Sequence, residues 1–231
     1  MSLSFWDGEY RKGRWIWGEH PGELAKAAVK YVREHKIPTE GKRLLDLGCG
    51  YGRDAFFLAS QSNVRVVGVD SAEKAVELAE SLLAEKESLD GKRLGVEFRR
   101  TDFRKIADGP FDLVYAANLY QILPAEERKQ LCEVVDSLLA PDGLFFLGTL
   151  SLRDPEHAGK GLPVAGEENS WMDKTFVHLS TREELETNFR FLKFHRLFEH
   201  EFLEPRTGGT NHHHISWILI AGRSAGAHAG E

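Results

Sequence analysis

The chain has 231 residues, enough for one well-buried core, and a single domain spanning 1–231 is the simplest count. Hydrophobic residues make up 42% and charged residues 29%, with no apolar run long enough to cross a bilayer and no secretory layout at Met1–Tyr10, so a cytoplasmic protein without a membrane partner is expected. The formal net charge is -6, and the nearest approach to a basic cluster, Arg99, Arg100, Arg104 and Lys105, is short and diluted by acids, which argues against nucleic acid as a partner.

Strand-like and helix-like segments alternate, the pattern of a mostly parallel sheet with helices on both faces. Residues 1–20 form an aromatic leader. Residues 21–35 read as a helix, with Pro21 in its first turn and Leu24, Ala27, Ala28 and Tyr31 at helical spacing. Arg43–Leu47 is a short apolar strand ending in glycines, and Arg53–Ser60 reads as a helix. Val64–Val69 is a second strand, closed by Asp70. Ser71 is the expected N-cap of the next helix, which carries Ala75, Val76, Ala79, Leu82 and Leu83 on one side. Val96–Arg99 and Phe111–Ala117 are the third and fourth strands. A helix over Glu126–Leu139, a turn at Pro141-Asp142-Gly143 and a fifth strand, Leu144–Leu150, follow.

The rhythm then changes. Residues 151–175 read as a long loop, and loops of that length are usually functional or mobile. Ser180-Thr181-Arg182-Glu183 reads as a capping box for a helix running to about Phe189. Phe194–Leu203 and His214–Gly222 read as an antiparallel hairpin turning at Thr207-Gly208-Gly209, and Ser224–Glu231 as a frayed tail. Cys49 and Cys132 make neither a disulfide framework nor a thiolate zinc site.

Chemistry concentrates in Asp46-Leu47-Gly48-Cys49-Gly50-Tyr51-Gly52. A buried strand meets a glycine-rich turn, and the helix behind it offers unpaired backbone N–H groups. Such geometry suits a nucleotide-like ligand across the carboxyl ends of the strands. A dinucleotide fingerprint requires a third glycine where Arg53 stands, and a P-loop requires Gly-Lys-Ser or Gly-Lys-Thr, which is absent. Asp46 would repel a pyrophosphate but attract an ammonium. Asp70, 24 residues further on, can accept from two ribose hydroxyls, and Asp102 can accept from an adenine amine with Phe103 beside the base. Singly, each of these residues also reads as an ordinary turn or cap residue.

Taken in order, Asp46 to Gly52, Asp70, Thr101-Asp102 and Phe111-Asp112-Leu113-Val114 resemble class I S-adenosylmethionine-dependent methyltransferases over roughly residues 40–150. The resemblance implies an α/β, Rossmann-like three-layer sandwich with a seven-stranded sheet whose last strand is antiparallel. It also implies S-adenosylmethionine as cofactor and S-adenosylhomocysteine as product. Asp46 and the loop Gly48-Cys49-Gly50 would hold the methionine part, Asp70 and Ser71 the ribose, Asp102 and Phe103 the adenine, and Asn118 the floor near the sulfonium. The chain then divides into a leader or lid (1–20), a cofactor core (40–150), an acceptor-side insert with closing hairpin (151–222) and a tail (223–231).

The flanks are expected to choose the acceptor. Trp6, Tyr10, Trp15 and Trp17 serve equally as a lid over cofactor and acceptor or as packing on the sheet. Trp171 and Asp173 are further acceptor-side candidates in the stretch His157–Asp173, itself a candidate pocket wall. The leader, the insert and His212-His213-His214-Ile215-Ser216-Trp217 resemble the small-molecule branch that includes tellurite-resistance and thiopurine-type methyltransferases. Strand alternation puts His212 and His214 on one face, either as a polar strand entrance or as ligands to a metal or anion with His178; the former reading is preferred, so no metal is expected. Transfer to a thiol needs little help, whereas an oxygen or nitrogen acceptor calls for a base, for which Tyr120, His178, His212 and His214 are candidates. The expected function is methyl transfer to a small molecule by in-line displacement, in a monomer or homodimer. The alternatives are a non-catalytic S-adenosylmethionine-binding domain and a macromolecular acceptor. Asn118-Leu119-Tyr120-Gln121 departs from the Asn- or Asp-Pro-Pro-aromatic motif of amino-directed DNA enzymes.

Overall fold

In the computed structural model, which describes residues 3–205 and 211–223, helix and strand alternate as far as residue 150. Helices α1 (Leu3–Tyr10) and α2 (Glu23–Glu34) precede β1 (Arg43–Leu47), α3 (Arg53–Ser62), β2 (Arg65–Asp70), α4 (Glu73–Asp90), β3 (Val96–Arg100), β4 (Phe111–Ala117), α5 (Ala125–Leu138) and β5 (Leu139–Leu150). Three short strands follow, β6 (Leu162–Pro163), β7 (Ser170–Met172) and β8 (Phe176–His178), then α6 (Arg182–Asn188), β9 (Lys193–Pro205) and β10 (Asn211–Gly222).

The main sheet has seven strands in the order β3-β2-β1-β4-β5-β10-β9, and β10 alone runs against the rest. Its central strands are apolar at consecutive positions because both faces are covered. Leu44, Val66, Leu113 and Phe146 point to the side packed by α2, α3 and α4. Their neighbours Leu45, Val67, Val114 and Phe145 point to the side packed by α5 and α6. Each such fully buried side chain contributes about 1.5–3 kcal/mol, so the rows fix strand register, and a one-residue slip would exchange the two faces. The chain passes from β1 to β2 on one side and returns to β4 on the other. The carboxyl ends of β1 and β4 therefore diverge, which opens a crevice where ligands bind in open α/β sheets.

Four local expectations are corrected. Pro141-Asp142-Gly143 does not separate helix from strand: it is a bulge inside β5, with Asp142 left-handed at φ 60° and the β4 partners jumping from Leu139 to Leu144. The segment 151–175 is not an open loop, since β6, β7 and β8 form a small antiparallel sheet at its far end. Ser71 does not cap α4, because Asp70 Oδ1 reaches past it to the Ala72 N–H at 2.8 Å. The cap of α6 sits one residue later than read: Thr181 Oγ1 accepts from the Glu184 N–H at 3.2 Å, while the Ser180 hydroxyl is buried. The turn at Thr207-Gly208-Gly209 and the tail from Ser224 lie outside the described residues. No described helix is long and apolar enough to cross a membrane.

Candidate active site

The glycine loop joins the tip of β1 to the start of α3, and all three glycines are left-handed, with φ 71° at Gly48, 55° at Gly50 and 78° at Gly52. At two of them the space is also taken. A Cβ on Gly50 would stand 2.7 Å from the Tyr10 hydroxyl, and one on Gly52 would stand 2.4 Å from the Phe98 ring. The loop is therefore bare main chain, folded under the leader. Gly48 and Cys49 both donate their N–H to the Val69 carbonyl, at 2.9 and 3.0 Å, which ties the loop to the tip of β2.

Carboxylates stand at the ends of β1, β2 and β3. Asp46 is 2% exposed, and its Oδ2 has no hydrogen-bond partner among the described residues. Burial, then the nearby Asp54 and Asp70 carboxylates, push its pKa well above the ordinary value. Asp70 accepts from the Gly50 N–H at 3.0 Å and from the Ala72 N–H at 2.8 Å; burial raises its pKa against these bonds. Asp102 is more open and takes a bidentate contact from Arg104, whose guanidinium is the leading cause of its lowered pKa. Asn118, just past β4, is held left-handed at φ 57° with its N–H on the Gly148 carbonyl at 2.9 Å, an arrangement asparagine tolerates better than most residues.

These residues line one cavity of about 660 Å³, together with Gly48, Cys49, Ser71 and Phe103. The leader closes part of it. Trp6, Tyr10 and Trp17 face the cavity; Trp15 does not, and packs edge-on against Tyr51 with ring centroids 5.7 Å apart. Trp17 lies parallel to the Tyr51 ring at 6.2 Å, and its carbonyl accepts from Arg53 at 2.7 Å. Asp54 gathers this corner, accepting from the Gly22 N–H at 2.8 Å and the Tyr115 hydroxyl at 2.7 Å. At the other end of the leader, Asp7 accepts from the Lys74 N–H at 2.9 Å, at the start of α4.

The remaining candidates divide. His214 lines the cavity, whereas Tyr120, His178 and His212 do not. Tyr120 and His178 are drawn to the half-buried Glu184: the Tyr120 hydroxyl donates to it at 2.8 Å and His178 Nε2 lies 2.8 Å from it. His212 and His214 do share a face, with rings 6.1 Å apart, but His178 is not with them. Trp171 and Asp173 miss the cavity, whose wall at this point is Thr175 and Val177. Sequence reasoning passed over Tyr51, Asp54, Tyr115, Phe202 and Glu204, which also line it. Strand alternation marks Tyr115, on the same face of β4 as Leu113, but gives no hint of the β9 residues, which only the sheet order brings near.

A glycine loop at the crevice, acids at successive strand tips and a seven-stranded sheet with one reversed strand are the features expected from the resemblance to class I S-adenosylmethionine-dependent methyltransferases. Residues 44–143 match the family model described as "Methyltransferase domain". Over that stretch, under half of its length, the chain is similar to methyltransferases, and solved structures that share its fold include S-adenosylmethionine-dependent methyltransferases. It is 28% identical over 142 residues to the cyclopropane-fatty-acyl-phospholipid synthase of Escherichia coli strain K12, covering 62% of this chain and 35% of the synthase. It is 31% identical over 179 residues to the 27-O-demethylrifamycin SV methyltransferase of Amycolatopsis mediterranei, covering 75% of this chain and 62% of that one. The fold is shared with the 1,6-didemethyltoxoflavin-N1-methyltransferase of Burkholderia thailandensis, solved with 1,6-didemethyltoxoflavin and S-adenosylhomocysteine: TM-score 0.67, 18% identity, 96% of this chain and 87% of that one. The chain spans about a third of the synthase's length and under two thirds of the rifamycin enzyme's.

Proposed function

We propose that this protein transfers a methyl group from S-adenosylmethionine to a small-molecule acceptor bound in the same cavity. The observation that carries the reading is that one cavity of about 660 Å³ joins the glycine loop and strand-tip acids to an aromatic leader and to the inner ends of β8, β9 and β10. A space of that size suits small ligands. The unpartnered Asp46 Oδ2 lacks the kind of donor that an amino-acid ammonium supplies, and the Gly48–Gly50 main chain leaves room for the rest of the methionine part. Asp70 keeps lone pairs for ribose hydroxyls beside its two backbone donors, with Ser71 next to it. Asp102 and Phe103 are assigned to adenine, and Asn118 to the floor near the reacting carbon. Trp6, Tyr10 and Trp17 are the acceptor-side aromatics, and they also offer faces to a cation.

The cofactor supplies an electrophilic methyl group and leaves as a neutral thioether. This chain's residues orient the two partners and exclude water. The cavity's basic residues are partly committed, Arg104 to Asp102 and Arg100 to Glu73, so they form no phosphate-binding stripe. A small acceptor agrees with that and with the rifamycin and toxoflavin relatives.

The test is release of S-adenosylhomocysteine with a panel of small phenols, thiols and amines, alongside calorimetry on Asp70→Ala. Turnover with at least one acceptor is expected, together with cofactor binding weakened by about 1–3 kcal/mol in the variant, the scale of hydrogen bonds to a charged group. Tight cofactor binding without any turnover would instead indicate a binding domain.

A further inference from the structure

Beyond the glycine loop, the cavity wall runs from Asn118 across β5 to β10. Asn118 bonds Gly148; Leu150, two residues on, pairs with Ser216 of β10; His214, one alternation away, faces the cavity beside Phe202, with ring centroids 5.6 Å apart. A turn from the insert completes this wall: Asp154-Pro155-Glu156-His157. Asp154 is fully buried, yet its carboxylate is saturated. Oδ1 accepts from the Glu156 N–H at 3.1 Å and faces His157 Nδ1 at 2.8 Å; Oδ2 accepts from the Ile215 N–H at 2.9 Å and faces His214 Nδ1 at 3.0 Å. Lone pairs on carboxylate and imidazole cannot face each other at such distances, so each Nδ1 carries its proton. The two rings stack at 5.6 Å.

The two histidines differ in what their second nitrogen meets. His214 Nε2 lies 3.6 Å from Glu204. Burial alone would lower the His214 pKa, but the hydrogen bonds to Asp154 and Glu204 prevail and push it up to about 9. It is a charged ring held between carboxylates. His157 lines the cavity, and its Nε2 has no partner among the described residues. With Nδ1–H committed to Asp154, that nitrogen offers a lone pair to whatever occupies the acceptor end. A carboxylate fixing a tautomer so that the far nitrogen can take a proton is the logic of a general-base dyad.

We infer that His157 is the general base of the methyl transfer, that Asp154 is its positioning residue, and that the acceptor is a small phenol or alcohol whose hydroxyl proton must be removed. This rests on the methyl-transfer reading above. As the acceptor oxygen forms its bond to the methyl carbon and the carbon–sulfur bond breaks with its electron pair left on sulfur, Nε2 of His157 takes the hydroxyl proton. The products are a methyl ether, S-adenosylhomocysteine and an imidazolium that returns its proton to water. A thiophenol, far more acidic than the matching phenol, would not need this help; that is what makes the assignment testable. The charged groups around the His157 ring are Asp154 on its own turn, His214 on β10 and Glu204 of β9 behind it, while Glu156 and Lys160 of the same turn pair with each other.

The test uses the full chain in two arms. In the first, 15N-histidine NMR of the cofactor-free protein is compared with H157Q and D154N. His157 is expected as the neutral Nδ1–H tautomer with a pyridine-type Nε2, and D154N should redistribute the tautomers. An Nε2–H tautomer in the wild type, or stoichiometric zinc, iron or manganese lost on H157Q substitution, would overturn the inference. In the second, a panel of phenols and the matching thiophenols is assayed with S-adenosylmethionine across pH. H157Q should lower kcat on a phenol by at least about 100-fold and abolish the rise of kcat with pH, while thiophenol turnover and S-adenosylhomocysteine affinity stay within about threefold. Equal loss on both acceptor classes, or none on the phenol, rejects the base. Wild-type turnover of thiophenols alone rejects the base but spares the methyl-transfer reading, whereas silence with the whole panel despite cofactor binding removes that reading and the base with it.

Discussion

At Asp46 the chain keeps a carboxylate oxygen buried with no donor to it among the described residues, a cost that folding alone does not explain. Its pKa lies above the ordinary 3.8, raised by burial and then by Asp54 and Asp70. The sign follows. At low pH the group is neutral folded and unfolded; as pH rises the unfolded chain ionises first, and stability is lost until pH passes the folded value. Asp46→Asn removes that charge at nearly constant shape. Without cofactor, the variant should melt about 2–4 °C higher at neutral pH, equivalent to about 1 kcal/mol for a chain of this length, and the advantage should shrink in acid. The same variant should bind S-adenosylhomocysteine more weakly by calorimetry. A melting point no higher than wild type would mean that the oxygen finds a partner in solution. Asp46 and Asp70 were legible because each follows a short apolar run into a glycine or turn. The pairing of His157 with His214 was not: the residues that meet at Asp154 lie about sixty positions apart, and no local period links an insert turn to the last strand.

The elements that place those residues differ in how strongly their own sequences specify them. β1 and β4 were readable to the residue because consecutive apolar side chains serve two buried faces. The strands of the insert were not, since runs of two or three residues carry no periodicity and form only against each other. Ser71 and Ser180 were each expected to serve a helix start, but the neighbouring Asp70 and Thr181 supplied the acceptor instead; several competent acceptors in a row leave the choice to tertiary packing. The leader shows the same dependence. Its aromatics signalled burial without saying where, and the answer is the glycine loop, through Trp17 on Tyr51, Arg53 on the Trp17 carbonyl, and the Tyr51 hydroxyl on the Gly18 carbonyl at 2.7 Å. An element that both packs and lines the cavity should matter for binding as well as for turnover. Deleting residues 1–17 is expected to raise the dissociation constant for S-adenosylhomocysteine about tenfold, near 1.4 kcal/mol, and to lower turnover further, read by calorimetry and product release. Unchanged affinity would confine the leader to the acceptor side.

At the scale of the whole molecule, the proposed cofactor site exists only when the sheet does. Its residues come from the tips of β1, β2, β3 and β4, and each tip is aligned by its neighbours' register; Asp46 pairs with Gly68 on one side and Tyr115 on the other. A fragment or an unfolded chain cannot assemble them, so the ligand binds the native state alone and shifts the unfolding equilibrium by mass action. At a concentration one hundred times its dissociation constant, S-adenosylhomocysteine should add about 2.7 kcal/mol. For a chain of this length that corresponds to a rise of about 5–11 °C in melting temperature, measurable by scanning calorimetry. The transition should stay single, because β10 lies between β5 and β9 and ties the closing hairpin to the cofactor half through one continuous ladder. A rise confined to one of two resolved transitions would mean that the acceptor side unfolds independently of the cofactor half. In that case the two ligands would be coupled only through the leader, and removing it would uncouple them.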